Sequence, residues 1–505
     1  MVAFSTWLPI QSAMRSCDPV AARRSAKGIL YLSALACLIS QSAAADVGPT
    51  LTAALETGNS DWSAYNVARN FTGVRGMTLD PGSGDLLALS RSSQQVIAIW
   101  EDASDPTGFT NATILDVASL PGSPVLALTH GLTYYQANLL VSSATDVYQF
   151  PYPSGSRKAI TNPPRTVVSN IAGGGRGGAP LGHQTRSIEI SPDGQWLYVQ
   201  IGSLNNVDED SSRSQIRRVP WAEALAAINA DTGSIDFSDM EVFADGLRNA
   251  VAFAHDQKGQ LWAADNGADE IERPDIGLDH QENPVEEINL LASSGQFYGY
   301  PFCFSSNETS TDGTVVQRAM PATKDDGVHS DAWCQDPNNN TGPLATLPAH
   351  SSPIAMAFMP SHAGCAADAD PNSAPLSFPC SWVGDLFVTT HGSWNADVAR
   401  GYALYRVPFG SDGRPLSQAP DILLQATEAA ATCSPSAGGG LGCFRPSGLV
   451  VKNGTFFVAS DATGDIVYLV NSAGSKSAAS SLASPRISSP QAVLATIAFL
   501  FVAMM

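Results

Sequence analysis

The chain repeats one pattern, two short strands joined by a turn, and this repetition constrains its fold more than any other feature. In the clearest copy, Ile188 and Ile190 alternate with polar residues, and so do residues 197–200, as half-buried strands require. Residues 191–194 between them supply the Pro, Asp and Gly of a tight turn. Further copies begin near Arg75, His130, Arg248, Pro353 and Arg445. The starts lie roughly 55–60 residues apart, or about 90–105 where segments are inserted, and such a period indicates a propeller or another array.

The predicted fold is an all-β, six-bladed β-propeller with long, disulfide-bonded loop insertions. A ring of radial sheets leaves only short edges and encloses a central channel. Neither a linker nor a run of charge divides residues 46–470, so a single domain is expected there. Residues 62–67 are expected to close the ring against the last blade, and residues 221–230 form the one predicted helix. Residues 273–347 are interpreted as one long insertion.

The start of the chain carries the pattern of a secretory signal peptide. Residues 1–45 combine basic residues at 23–27, an apolar stretch at 29–39 and small residues before Asp46. We therefore expect this segment to be removed. A retained signal anchor is the less favoured alternative, because the apolar stretch is shorter than the roughly 20 residues of a membrane span.

Residues 471–505 have the layout of a signal for a glycosylphosphatidylinositol (GPI) anchor. Small residues at 471–475 are followed by a spacer rich in Ser and Ala and by an apolar, uncharged tail, Ala492–Met505. A short membrane-anchoring tail and a disordered end are the alternatives. With the signal peptide, this layout predicts a secreted protein at the cell surface that meets the membrane only through its lipid.

The cysteines and glycosylation sequons agree with secretion. Of the 8 cysteines, Cys17 and Cys37 fall in the leader, and the remaining six can pair in fifteen ways. Pairing of neighbours is the simplest hypothesis, namely Cys303 with Cys334, Cys365 with Cys380, and Cys433 with Cys443. Sequons for N-glycosylation occur at Asn70, Asn111, Asn307, Asn339 and Asn453.

The charges of the chain predict an anionic small molecule as its ligand. A net charge of −20 argues against a nucleic-acid partner, which would require a basic face. The repeat starts nevertheless carry cationic and polar side chains, at Arg75, His130, His183, Arg186, Arg248, Asn249 and Arg445. In a propeller these starts occupy equivalent places around one axis, so the side chains should converge on one pocket. Because Arg binds carboxylates through two hydrogen bonds, a ligand with several carboxylates is implied.

Six motifs in order resemble the glucose/sorbosone dehydrogenase family, whose members are six-bladed propellers that bind pyrroloquinoline quinone (PQQ). The resemblance covers residues 70–470 and is greatest to fungal PQQ-dependent pyranose dehydrogenases. Each motif alone is a weak signal, but together they follow the phase of the repeat. The motifs are Gly182-His183 with the Pro192-Asp193-Gly194 turn, Gly246–Asn249, Asp265–Glu270, Asn283–Asn289, His391–Asn395 with Gly401-Tyr402, and Arg445–Gly448.

The resemblance implies an oxidoreductase that uses PQQ and Ca²⁺ to oxidise the anomeric carbon of an aldose or ketoaldose. His183 resembles the general base, and Arg248 would meet charge that develops on the quinone. The backbone carbonyls of Gly267 and Ala268 match the family's calcium loop. The remaining cofactor-binding residues would be Arg75, Asn249, His391, Trp394, Asn395 and Arg445. A monomer is expected, with a small-molecule sugar as substrate.

Two features depart from the family pattern and keep alternatives open. Ala396 and Ala403 stand where relatives often carry basic residues, unless Arg400 replaces the missing partner. Neither a heme module nor a cysteine-rich carbohydrate-binding tail is visible, so electrons must leave to a separate external acceptor. One alternative is a propeller without catalysis that binds a ligand or protein at the cell surface. Another is a calcium-dependent lactonase, which would require carboxylates at the repeat starts.

Overall fold

A computed structural model describes residues 55–472, except for 103–107, 123, 172–181, 209–211, 231–232, 362–363, 368–375, 417–419, 428–432 and 434–442. The predicted signal peptide lies outside these residues, and so does the predicted GPI signal except for Asn471 and Ser472 at its start. In the described part of the chain, six sheets of four or five strands follow one another around an axis. The predicted six-bladed β-propeller is therefore confirmed.

The strands run in chain order from blade to blade. Two strands come first, β1 (Leu55–Thr57) and β2 (Trp62–Ala68). Blade 1 contains β3 (Val74–Leu79), β4 (Leu86–Ser90), β5 (Gln95–Glu101) and β6 (Phe109–Asp116). Blade 2 contains β7 (Leu128–Tyr135), β8 (Asn138–Ser143), β9 (Val147–Pro151) and β10 (Arg165–Ser169). Blade 3 contains β11 (Ile188–Ile190), β12 (Trp196–Ile201), β13 (Gln215–Pro220) and, after helix α1 (Trp221–Asn229) and β14 (Ile235–Asp236), β15 (Glu241–Asp245).

The second half of the ring carries the larger excursions. Blade 4 contains β16 (Ala252–His255), β17 (Leu261–Asp265) and β18 (Glu286–Leu291). Its last strand follows β19 (Gln296–Phe297), β20 (Cys303–Thr309), β21 (Val315–Ala319) and helix α2 (Asp331–Gln335), and is β22 (Ala345–Leu347). Blade 5 contains β23 (Pro353–Phe358), β24 (Leu386–Thr390), β25 (Ala403–Val407) and β26 (Asp421–Ala426). Blade 6 contains β27 (Pro446–Lys452), β28 (Thr455–Ser460) and β29 (Ile466–Asn471).

Three short strands extend blades at their outer edges. β1 pairs antiparallel with β26, whereas β14 and β19 pair parallel with β10 and β15. Each addition covers backbone groups that an edge strand would otherwise expose to other chains.

The ring closes where the first long strand joins the last sheet. β2 pairs antiparallel with β29, with Trp62 opposite Asn471 and Ala64 opposite Leu469. The ring of Trp62 also meets Phe378 and Trp382, at centroid distances of 5.2 and 5.8 Å. The predicted closing strand is thus confirmed, and it ties residues near both ends of the described chain into one blade.

Glycine allows the inner strands to approach closely around the axis. A Cβ atom at Gly76 would lie 2.1 Å from the carbonyl oxygen of His130, and one at Gly131 would lie 2.4 Å from that of Arg186. Such distances leave no room for a side chain. The inner strands of blades 1, 2 and 3 therefore pack backbone to backbone, which fixes where the segments that precede them point.

The expected single insertion at 273–347 is wrong in extent. β18 and β22 within it are the third and fourth strands of blade 4, β19 extends blade 3, and the β20–β21 hairpin and α2 are additional. Strand β18 was not predicted because it begins with Glu286 and Glu287, two residue types that are usually exposed, although both are buried here. The predicted helix is confirmed at 221–229, and the three predicted disulfides, 303–334, 365–380 and 433–443, all form. Neither helix in the described residues is long and apolar enough to cross a membrane.

Because closure depends on β2, a charge buried in that strand should destabilise the whole ring. Val67 is buried where β2 packs on the core of blades 6 and 1. We expect Val67→Asp to lower the free energy of unfolding by about 3 kcal/mol or more, since it buries an unpaired carboxylate. Urea denaturation followed by tryptophan fluorescence measures this loss. Ser92→Asp, at an exposed turn of blade 1, is the control, and equal stability of the two variants would contradict the assigned role of β2.

Candidate cofactor site

At one end of the propeller lie the segments that precede the first, innermost strand of each blade. The loops that follow the second strand of each blade lie at the same end. Between them lies a cavity of about 200 Å³. It is lined by His183, Arg248, Asn249, Asn266, Gly267, Ala268, Asp269, Pro284, Glu286, His350, Ser352, Trp394 and Asn395. The structure thus brings seven of the predicted site residues together, namely His183, Arg248, Asn249, Gly267, Ala268, Trp394 and Asn395.

His183 lies just ahead of β11 and is held in one tautomer. Its Nδ1 lies 3.0 Å from the carbonyl oxygen of Ser203 and 3.1 Å from the Ser203 hydroxyl oxygen. That hydroxyl donates to the Asn205 carbonyl, so both Ser203 oxygens accept and Nδ1 must carry the proton. Burial, followed by the nearby Arg248 cation, lowers the pKa of His183 to about 4. Nε2 is therefore left as an unprotonated base at neutral pH.

Buried arginines hold the segment that carries this histidine. Nη1 of Arg186 donates to the carbonyl oxygens of His183 and Thr185, at 2.7 Å in each case. Nη2 of Arg213 lies 3.4 Å from the same His183 oxygen. Arg186 was expected to project toward the pocket, but its side chain is fully buried behind His183. Its role in the structure is to fix the backbone of the segment.

The guanidinium of Arg248 points into the loop 266–269. It donates to the carbonyl oxygen of Gly267 at 2.7 Å and forms an ion pair with Asp269 at 3.1 Å. Asn206 accepts twice more, through its carbonyl oxygen at 3.0 Å and its Oδ1 at 2.9 Å. The side chain is only 7% exposed. Arg248 therefore has a complete set of protein acceptors in this arrangement.

Buried carboxylates fix the backbone on either side of the cavity. Asp265 accepts from the backbone N–H groups of Arg248 and Asn249, at 2.7 Å each. Glu286 accepts from Gly267 N at 2.8 Å and from Ser352 N at 3.0 Å, and so it joins two loops. Burial raises the pKa of Glu286 to about 7 and that of Asp265 well above its usual value. These carboxylates position backbone and are not free to bind a ligand.

The other three predicted residues form a separate cluster around Asp461. Arg75 pairs with Asp461 at 2.9 Å, and Nε2 of His391 lies 2.9 Å from the other carboxylate oxygen. Arg445 lies 3.0 Å from Nδ1 of His391 and 3.1 Å from its carbonyl oxygen. Burial opposes ionisation of Asp461, but His391, Arg75 and Arg445 hold the pKa of its carboxyl far below its usual value. This cluster does not line the cavity, although its His391 begins the loop that carries Trp394 there.

The loop after β24 forms the rim of the cavity. Trp394 is 61% exposed, which is unusual for so large an apolar side chain. Asn395 donates from Nδ2 to Glu270 at 3.2 Å, while its buried Oδ1 has no hydrogen-bond partner among the described residues. Arg400 pairs with Glu282 and does not line the cavity, so it does not replace a missing basic partner at Ala396 or Ala403.

The donor set fits a polar, planar cofactor such as PQQ. Asn395 lines the cavity together with Asn249 and Arg248, and its buried Oδ1 is an acceptor without a partner among the described residues. Buried polar atoms without a partner are rare in folded proteins and often mark a ligand position. Trp394 adds an exposed aromatic face beside them.

The residues do not fit a calcium ion in the arrangement seen. The predicted ligand oxygen of Gly267 accepts a hydrogen bond from the cationic Arg248, and this cation excludes a second one at the same oxygen. Among the described residues, no group of three or more His, Cys, Asp or Glu side chains could hold a metal. Calcium would require Arg248 to turn away from the loop.

Several residues of the site were not predicted from the sequence, among them Ser203, Asn206, Glu286, His350 and Asp461. For one of them the sequence did contain a signal. Ser203, Asn206 and Asp461 lie in loops outside the repeat starts, so nothing in the periodicity marks them. Glu286 looked like part of an insertion. His350 precedes β23 as His183 precedes β11, so the repeat phase itself could have revealed it.

Most of the chain is similar in sequence to known proteins. A family model described as TrAA12-like matches residues 57–472. The PQQ-dependent pyranose dehydrogenase of Coprinopsis cinerea is 26% identical over 447 residues, which cover 81% of this chain and 53% of that protein. The chain thus spans about half the length of the curated relative it matches. The predicted resemblance to fungal PQQ-binding propellers is confirmed.

Solved structures give the same result. A calcium structure of a Trichoderma reesei enzyme of carbohydrate-active family AA12 is 26% identical with a TM-score of 0.67, covering 84% of this chain and 99% of that one. The holo PQQ domain of the Coprinopsis cinerea pyranose dehydrogenase is 24% identical with a TM-score of 0.66, covering 84% and 98%, and shows the shared fold. Since the family model spans nearly all of the propeller, the chain belongs to the TrAA12-like family.

Proposed function

We propose that this protein is a PQQ-dependent sugar dehydrogenase that oxidises the anomeric carbon of a pyranose outside the cell. The observation that carries the proposal is His183, a neutral imidazole whose Nε2 is left free as a base in a cavity shared with Arg248 and Asn249. The relative from Coprinopsis cinerea, named a PQQ-dependent pyranose dehydrogenase, supports the choice of cofactor and substrate class.

The residues of the chain divide the work around the sugar. When bound, PQQ would supply the two-electron acceptor for the hydride of the anomeric carbon. Nε2 of His183 accepts the proton of the anomeric hydroxyl, while Ser203 keeps the ring in the required tautomer. Arg248, Asn249 and Asn395 would hold the cofactor through its oxygen and nitrogen atoms. Trp394 at the rim would cover one face of the bound molecules and exclude water.

The same proposal includes three further points. The protein binds calcium, it passes its electrons to an external acceptor, and it is a monomer. The related Trichoderma reesei structure is described as a calcium structure, which supports a role for this ion after Arg248 has moved. A separate electron acceptor is part of the proposal because the reduced quinone must pass on the two electrons of the sugar before the next turnover.

Secretion followed by GPI anchoring at the cell surface is also proposed. Three disulfides form in the structure, and such bonds persist in oxidising compartments. Four sequon asparagines are exposed and Asn339 is partly exposed, so glycans could be attached to the folded surface. Release of the protein from cells by a phosphatidylinositol-specific phospholipase tests the anchor, and retention in the membrane would exclude it.

One observation favours the alternative of a binding module without catalysis. The donors of Arg248 are satisfied within the protein, so a quinone must compete with the Gly267 carbonyl and Asp269 for them, while Asn206 holds the rest of the guanidinium in place. If purified wild-type protein binds no PQQ in the presence of calcium, the enzyme proposal fails and the binding module remains.

His183→Ala should separate cofactor binding from turnover. Because Nε2 of His183 is the proposed base, we expect kcat to fall about 10²–10⁴-fold. The dissociation constant for PQQ, measured by absorbance titration, should change little. Dye reduction with a panel of aldoses and 2-keto sugars gives the rate. His329→Ala, just ahead of helix α2 and outside the cavity lining, serves as the control, and full activity of His183→Ala would refute its assignment.

The pH dependence should follow the lowered pKa of His183. Its imidazole is neutral above about pH 4 and becomes imidazolium below it, where it can no longer accept a proton. In a Glu286→Gln background, which removes the cavity carboxyl with a pKa of about 7, we expect kcat/KM to stay constant from neutral pH down to about pH 5 and then to fall tenfold per pH unit below about pH 4. Rate measurements in overlapping buffers test this profile. A loss of activity that began near pH 6.5, the ordinary value for histidine, would contradict the burial of this base.

Asn206→Ala should weaken cofactor binding. Asn206 holds both Arg248 and the loop 266–269, since its Oδ1 also accepts from Asp269 N at 2.7 Å and its Nδ2 donates to the Asp269 carbonyl. Loss of these bonds should raise the dissociation constant for PQQ about tenfold. The neighbouring Asn205→Ala, which removes an exposed side chain, is the matched control. Equal affinities of the two variants would show that Asn206 does not position Arg248.

A further inference from the structure

A second histidine lies in the cavity, and the proposed proton transfer does not use it. His350 belongs to the segment between β22 and β23, which enters blade 5 as the His183 segment enters blade 3. It is 9% exposed and lines the same cavity as His183. We propose that His350 binds a hydroxyl group of the sugar through Nδ1 and so contributes to substrate specificity.

The tautomer of His350 is set by one contact. Its Nε2 bonds to the carbonyl oxygen of His280, and a carbonyl can only accept, so Nε2 carries the proton. In the neutral ring Nδ1 is then a hydrogen-bond acceptor. None of the described residues forms a hydrogen bond with Nδ1. His350 therefore presents an acceptor of fixed orientation in the cavity.

The backbone of this segment is held in a conformation that costs free energy. His350 and Ser352 have φ angles of 63° and 58°, in the left-handed region that residues other than glycine seldom adopt. Glu286 accepts from Ser352 N, and the carbonyl oxygens of Ser351 and Ser352 accept from Gly392 N and His391 N. Strained residues that several bonds hold in place cluster at ligand sites. These bonds keep the ring of His350 at the cavity.

Few other acceptors in the cavity are free for a sugar hydroxyl. Both oxygens of Glu286 accept from backbone N–H groups, and Asp269 is paired with Arg248. His183 is committed to the anomeric proton. Sugar hydroxyls away from the reacting carbon also need acceptors, because a desolvated hydroxyl without a partner is costly. Nδ1 of His350 is an acceptor at this cavity that no described residue uses.

The inference rests on the proposed sugar dehydrogenase function, and the experiment keeps the two apart. For His350→Ala, we expect KM for the best pyranose of the panel to rise about tenfold, with kcat nearly unchanged. The dissociation constant for PQQ should equal that of the wild type. Failure of the wild type to bind PQQ would refute the dehydrogenase, whereas an unchanged KM in a PQQ-binding variant would refute only the role of His350.

Monodeoxy analogues of that pyranose identify the contact. One analogue should lose affinity with the wild type but not with His350→Ala, because each change removes the same hydrogen bond. If every analogue loses equally with both proteins, His350 binds no hydroxyl and the proposal is wrong. His350→Asn, which keeps an acceptor and tolerates the left-handed backbone, should recover part of the affinity and serves if the alanine variant does not fold.

His280→Ala is the matched control. It removes a neighbouring imidazole, 6.2 Å from the His350 ring, but retains the backbone carbonyl that fixes Nε2. We expect its KM to equal that of the wild type. The same rise of KM in His280→Ala and His350→Ala would assign the effect to packing of the loop and overturn the proposal.

Discussion

The antiparallel pairing of β2 with β29 is the constraint on which the rest of the molecule depends. A propeller blade packs face to face with its neighbours, so an open ring would expose the apolar faces of the first and last sheets, which now pack against each other. The closing strand fills the outer position of blade 6 and brings its inner strand against that of blade 1. Only in a closed ring do the segments before β11, β16 and β23 face one another across a common cavity.

The electrostatics of the site follow from this geometry. An arginine side chain that is buried in the protein needs hydrogen-bond acceptors, because a buried cation without a partner costs several kcal/mol of stability. Arg75 meets Asp461, Arg248 meets Asp269, and Arg445 contacts His391. The converging cations expected from the sequence are therefore present but already have partners. An anionic ligand would have to replace these protein groups as the partner of the arginines. This favours ligands whose oxygen atoms can occupy the same positions.

The fold could be predicted from the sequence because the pattern of strands and turns repeats along the chain. Alternating apolar residues and a turn such as 191–194 recur in every blade, so the number of blades and the closing strand could be read from their spacing. Strand β18 was missed because it begins with Glu286 and Glu287, whose burial depends on partners far away in the chain. His183, Arg248 and Asn249 were found because they stand at repeat starts. Asn206 and Asp461 were not, since their roles come from contacts with residues in other loops.

The hydrogen bond between Arg248 and the Gly267 carbonyl has a consequence for the order of folding and ligand binding. The guanidinium holds the loop 266–269 through protein contacts alone, since Asn206 and Asp269 complete its hydrogen bonds. The loop can therefore take up this conformation as the chain folds, before any ligand arrives. Occupancy of the cavity then depends on the concentration of ligand around the folded protein and on the free energy needed to open these contacts.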